Sequence, residues 1–252
     1  MKLIQEHLQR IAAENGFRIL YATETGSRGW GFASPDSDFD IRFIFVYPME
    51  HYLRISEPED QWNSIFEDGG EVLDFNAWEL RKTLRLLRGS NASPFEWLQS
   101  PILYHEVGDF RRELWELAQP FHSPRAAIFH YLGICHNSLK TGVEGHQINI
   151  KKYFYVLRPL FAAMWAADRQ SVPPMQFAPL LEQLNAGDPV RVRIEALWRE
   201  KEQAKEGQMI DLIPELQAFI EVEMERCKAI AGTIPKPSAD DSSLDQFFKT
   251  WI

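Results

Sequence analysis

Three aspartates carry the chemistry this sequence most clearly permits: Asp38 and Asp40 in "SPDSDFDIRFIF", and Asp74 in "EVLDFNAW". Alternate side chains of a strand share a face. Asp38, Asp40 and Arg42 therefore point one way, while Phe39, Ile41 and Phe43 point toward a core. The two carboxylates lie about 7 Å apart at Cα. At that spacing they can close on one divalent ion or on a pair, and Mg²⁺ is commonly held by one or two carboxylates together with phosphate oxygens. The plainer alternative is a solvated strand face in which Arg42 neutralises one aspartate. Asp74 sits in a segment apolar enough for a central strand, where an ionised carboxylate needs a partner. That partner is an arginine, a backbone amide, or a metal shared with Asp38 and Asp40.

The elements that must position these groups are legible around them. "FRILYATET" reads as a strand running into Gly26-Ser27, with Arg28, Gly29 and Gly31 beyond. A glycine-rich strand end feeding a turn or helix start presents backbone N–H groups to an anion. "DFDIRFIFVY" is a second strand, rich in β-branched and aromatic residues. "WNSIFEDGGEVLDFNAWEL" reads as two more strands joined by the tight turn Asp68-Gly69-Gly70. A helix at 79–89 follows, with Leu80, Leu84 and Leu87 inside and Arg81, Arg85 and Arg88 outside. The opening segment has Ile4, Leu8, Ile11 and Ala12 at helical spacing, with Asn15-Gly16 as its stop.

From Ser93 onward strand signals almost vanish. "SPFE" reads as a capping box with proline at the first helical position, and Ser123-Pro124 and Asp188-Pro189 open helices in the same way. "NIKKYFYVLRPLFAAMWAADRQ" is a long helix bent at Pro159, and a last long helix covers 211–231. "TIPKPSADDSSLDQ" reads as a linker, leaving "FFKTWI" as a short apolar terminus. The sequence thus predicts an α+β chain: a catalytic sheet domain over 1–110, an all-helical domain over 111–232, and a linker and tail over 233–252.

Composition narrows the functional classes. The chain has 252 residues, 45% of them apolar and 13% aromatic, enough for an ordinary folded core. The formal charge of −9 argues against a general nucleic-acid coat protein, although a local basic patch remains compatible with it. Two cysteines, Cys135 and Cys227, stand far apart without a CxxC pair, which argues against a disulfide framework or a zinc site. No apolar run approaches the roughly 20 residues of a membrane span, and the N-terminus lacks the apolar centre of a signal peptide. A cytoplasmic protein that does not bind membranes is the expectation. His130 and His136 lack a helix-face metal spacing and are read, like the other histidines, as structural or surface residues.

"GSRGWGFASPDSDFDI" resembles the hG[GS]…DhD signature of the DNA polymerase β superfamily of nucleotidyltransferases. Together with "VLDFNAWELRKTLRLL" and "KKYFYVLRPLFAAMW", the extended stretch is similar to the bacterial RNA-repair-associated, RlaP-type nucleotidyltransferases. The resemblance covers most of residues 20–180. It implies that Gly26 and Ser27 hold the β- and γ-phosphates of a nucleoside triphosphate, with Arg28 nearby. It also implies that Asp38 and Asp40 bind two Mg²⁺ ions, Mn²⁺ being an alternative, and that Asp74 ligates the metal that activates an acceptor hydroxyl. Glu24 belongs to the same pattern, and a salt bridge to Arg28 or Arg42 is its expected task. Trp30 and Phe32 are expected to pack under the turn.

On the long helix, Lys151, Tyr155 and Arg158 stand at i, i+4 and i+7 on one face, with Lys152 at its border. Spacing alone favours a solvated surface, whereas the resemblance implies that Lys151, Lys152 and Arg158 meet the triphosphate. The Arg81, Arg85 and Arg88 stripe is read as favourable charge near a helix C-terminus. The expected activity is Mg²⁺-dependent transfer of a nucleoside monophosphate, with release of pyrophosphate, to an acceptor hydroxyl on an RNA end, a small molecule or a protein. The alternatives are a protein-modifying, AMPylating-type enzyme and a non-catalytic nucleotide-binding regulator.

Overall fold

The structure is a computed structural model that describes residues 1–35, 37–204, 207–235 and 240–252. It is a mixed α+β chain that divides into two units. The first comprises residues 1–29, 38–121 and 238–252, and the second residues 30–37 and 122–237.

The first unit opens with α1 (Lys2–Asn15), which Gly16 ends in the left-handed region at φ 65°. There follow β1 (Arg18–Glu24), α2 (Gly26–Trp30), β2 (Phe39–Val46), α3 (Met49–Tyr52), β3 (Gln61–Asp68), β4 (Glu71–Glu79), α4 (Leu80–Arg88), α5 (Ala92–Gln99), β5 (Leu103–Glu106) and α6 (Phe110–Ala118). The sheet order is β3-β4-β2-β1-β5. β2 and β4 run parallel, and the other neighbouring pairs are antiparallel. Parallel pairing requires a crossover, which α3 and β3 supply.

Alternation assigns the two faces. Ile41, Phe43 and Phe45 of β2 and Leu73, Phe75 and Ala77 of β4 are buried in one cluster with Ile4, Leu8 and Ile11 of α1. Burying each large apolar side chain contributes about 1.5–3 kcal/mol. The opposite face bears Asp40 and Arg42 of β2 with Asp74, Asn76 and Trp78 of β4. Trp78 stacks on Trp97 of α5 at 3.9 Å between ring centroids, so α5 covers this face beyond the aspartates.

Two expectations fail here. The cap of α5 is Asn91, whose side chain accepts from the Ser93 amide, so the helix begins before the predicted Ser93 box. β5 lies in a stretch where no strand was expected; its four residues are too few to show a pattern.

The second unit contains α7 (Pro124–Gly142), β6 (Val143–Glu144), β7 (Gln147–Asn149), α8 (Ile150–Arg169), α9 (Phe177–Leu181), α10 (Pro189–Glu202), β8 (Met209–Asp211) and α11 (Pro214–Thr233). Ser123 and Asp188 cap α7 and α10 as the sequence predicts, accepting from Ala126 and Val190 amides. The unit is not all-helical, because β6, β7 and β8 form a small sheet. Residues 30–37, read as part of the first domain, belong to the second unit: Phe32 is buried against Phe154, Phe177 and Trp198. Cys135 and Cys227 are buried free thiols.

The chain's last element, α12 (Ser242–Trp251), belongs to the first unit. The predicted linker extended to 246, but helix begins at Ser242; residues 236–239 of it lie outside the described residues. Trp251 packs edge-on to Phe110 at 4.9 Å, and its carbonyl accepts from Arg18. No described helix is long and apolar enough to cross a membrane.

Candidate active site

The site is built where β1 ends. Thr25 donates its amide to the Asp40 carbonyl at 2.8 Å, and the Asp40 amide donates to Glu24 Oε1 at 2.7 Å. Both backbone groups of Asp40 are thus held by the two residues before Gly26. Gly26 has φ +56°, and a Cβ placed there would lie 1.9 Å from Asp40 Oδ2. Only glycine meets both demands, a left-handed backbone and carboxylate contact. Ser27 and Arg28 follow on the short helix α2, both half-buried. Arg28 donates Nε to the Asp38 carbonyl at 3.2 Å, and its guanidinium sits 3.8 Å over the Phe39 ring. Asp38 itself is exposed just ahead of β2.

Asp40 and Asp74 are register partners across the parallel β2–β4 pair. Arg42 joins them: its Nη2 donates to Asp40 Oδ1 and to Asp74 Oδ2, both at 2.9 Å. Its Nη1 donates to the Ile41 and Asp74 carbonyls. The side chains are 24% (Asp40), 34% (Asp74) and 18% (Arg42) exposed. Burial pushes the Asp40 carboxyl above its ordinary range; Arg42 opposes this, while the Asp74 and Asp38 charges add to it.

All-oxygen donors suit a hard divalent cation. Exposed Asp38 and half-buried Asp40 fit an ion whose other positions go to phosphate and water. The predicted three-carboxylate cage is a different matter. Nη2 of Arg42 stands between Asp40 and Asp74, and the described residues contain no group of three or more acids, histidines or cysteines able to hold a metal ion. As placed, Asp74 does not fit a cation shared with Asp40.

Glu24 departs from expectation. It is fully buried, and it takes the Tyr104 hydroxyl on Oε2 and the Asp40 amide on Oε1 in place of a salt bridge. Burial raises its carboxyl to about 7. Tyr104 lies on β5, so sequence reasoning that missed the strand missed the residue.

Arg158 belongs to the second unit and is 1% exposed. It donates to the Met175 carbonyl and lies over the Trp30 and Tyr131 rings. A guanidinium so enclosed is a packing residue of that unit, which corrects its expected place on a nucleotide-binding face. Lys152 is exposed and Lys151 half-buried, both in the first turn of α8, and their assignment to a triphosphate rests on the resemblance alone. The Arg81, Arg85 and Arg88 stripe has protein partners. Arg81 lies over Tyr52 and Phe248, Arg85 is 4.0 Å from Glu57, and Arg88 is 2.8 Å from Asp241.

Residues 1–250 match RlaP, described as an RNA repair pathway DNA polymerase beta family. The chain is 38% identical over 240 residues to the uncharacterized protein YcgL of Bacillus subtilis (strain 168), covering 95% of this chain and 91% of that protein. A solved nucleotidyltransferase-like protein from Exiguobacterium sibiricum 255-15 aligns over 91% of this chain and 75% of its own, at 12% identity and a TM-score of 0.35. A likeness at that level carries no argument.

Proposed function

The chain belongs to the RNA repair pathway DNA polymerase beta family, and on that premise we propose that it is a nucleotidyltransferase. It moves a nucleoside monophosphate from a nucleoside triphosphate to an acceptor hydroxyl, and pyrophosphate leaves. The observation that carries this reading is the meeting of Asp40 with the Gly26-Ser27 turn, where its carboxylate touches the glycine, while Arg28 of the same turn bonds the Asp38 carbonyl.

In this reading Gly26, Ser27 and Arg28 receive the phosphates, and Asp38 and Asp40 are the ligands of Mg²⁺ or Mn²⁺. When bound, such an ion offsets charge on the phosphate oxygens. The chain's own residues do the positioning. Glu24 and Thr25 fix the Asp40 backbone, Gly26 leaves room for its carboxylate, and Arg28 holds the Asp38 carbonyl. The family's description favours an RNA end as acceptor over a small molecule or a protein side chain. The engagement of both Asp40 and Asp74 by Arg42 is the one feature favouring a nucleotide-binding regulator instead.

One assay separates these readings. The protein is incubated with Mg²⁺ and each α-labelled nucleoside triphosphate, with RNA of defined ends or with cell extract. Label on RNA supports an RNA acceptor, and label on protein supports a protein-modifying enzyme. Saturable binding with neither transfer nor pyrophosphate release would replace the catalytic reading with the regulatory one.

A further inference from the structure

We infer that Arg42 is a built-in competitor for a divalent cation: its guanidinium occupies the position between Asp40 and Asp74 that a shared ion would take. Asp74 then joins the site only when the guanidinium turns away. The inference rests on the reading of Asp38 and Asp40 as cation ligands and deepens it.

The geometry carries the argument. One nitrogen, Nη2, bonds the two carboxylate oxygens at 2.9 Å each. A divalent cation shared by the two aspartates would need these same two oxygens, which the guanidinium already engages. The two occupants exclude each other sterically and by charge. The pairing is not a loose surface bridge. Arg42 is 18% exposed, and its Nη1 bonds two backbone carbonyls, so these contacts must be reorganised together.

The arrangement has a functional consequence. Without ligand, Arg42 supplies the positive charge that two adjacent carboxylates need, and the free protein has little affinity for a lone cation at Asp74. An incoming nucleotide offers the guanidinium another anionic partner, since arginine forms bidentate bonds with phosphate as readily as with carboxylate. Arg42 can then leave Asp74 without losing a counter-charge. Binding of the third carboxylate to cation becomes dependent on nucleotide.

The test is Mn²⁺ binding to the full chain, followed by electron paramagnetic resonance without nucleotide. Wild type is compared with Arg42→Gln and with Arg42→Gln/Asp74→Asn, each checked for folding by circular dichroism. The inference predicts that Arg42→Gln binds Mn²⁺ at least about tenfold more tightly, as removal of a unit charge a few ångströms away requires, and that adding Asp74→Asn cancels the gain. Arg42→Lys keeps the charge but loses the Nη1 bonds that anchor the guanidinium; it serves where Arg42→Gln fails to fold, with a smaller gain expected. Equal affinity in wild type and Arg42 variants, or a gain that survives Asp74→Asn, overturns the competition and leaves the cation reading standing. Absence of Mn²⁺ binding in every variant, with or without ATP, overturns both.

Discussion

Gly26 and Asp40 are in contact so close that a single added carbon at position 26 would fall 1.9 Å from the Asp40 carboxylate. The left-handed backbone of Gly26 adds a second restriction. Gly26→Ala should therefore destabilise the protein by about 1–3 kcal/mol and displace Asp40. Chemical denaturation and pyrophosphate release measured together check this. An alanine variant as stable and active as the parent would show that the contact is not needed.

Tyr104 reaches Asp40 only through Glu24. Removing its hydroxyl leaves a buried Glu24 oxygen without that donor, which costs about 1–3 kcal/mol. Tyr104→Phe is expected to lower stability by that order and to reduce kcat about tenfold with little change in KM, because it loosens a ligand without touching substrate. A change confined to KM would contradict the positioning role.

Arg158 is expected to matter for stability alone. Its enclosure by Met175, Trp30 and Tyr131 predicts that Arg158→Met lowers the melting temperature and leaves KM for nucleotide unchanged in the folded fraction. A raised KM in a variant of unaltered stability would restore it to the nucleotide site.

His122 gives the second unit a pH dependence. Burial pushes its imidazole down to about 4 from 6.5, so the unfolded chain binds more protons than the folded one between those values. The contribution to stability is fully present above about pH 6.5 and is lost as pH falls toward 4, by at most about 3 kcal/mol. Urea midpoints of wild type should fall more steeply over that window than those of His122→Gln, a comparison in which the carboxylates common to both cancel. Parallel profiles would refute the assignment.

What was legible in the sequence follows from locality. The alternation through Asp40, Ile41, Arg42 and Phe43 gives both faces of β2, the Asp68-Gly69-Gly70 turn gives a hairpin, and Ser123 and Asp188 announce their helices. What was not legible depends on contacts far along the chain. Helical spacing groups Arg158 with Lys151 and Tyr155, yet its burial is decided by a carbonyl at 175 and a ring at 30. Glu24 looks like half of a salt bridge until β5 brings Tyr104 beside it. The competition of Arg42 for Asp74 was visible only as one of several open partners, because register between β2 and β4 is set by the crossover and not by either strand.

The central claim is that Asp40, seated against Gly26, and Asp38 just ahead of it on the chain support nucleotidyl transfer. Its most direct measurement is the rate of pyrophosphate release from nucleoside triphosphate and Mg²⁺ by wild type, Asp38→Asn and Asp40→Asn, each shown by circular dichroism to be folded. The account predicts turnover by wild type and a loss of about a hundredfold or more in each variant. Folded variants that release pyrophosphate at the parent's rate would contradict it.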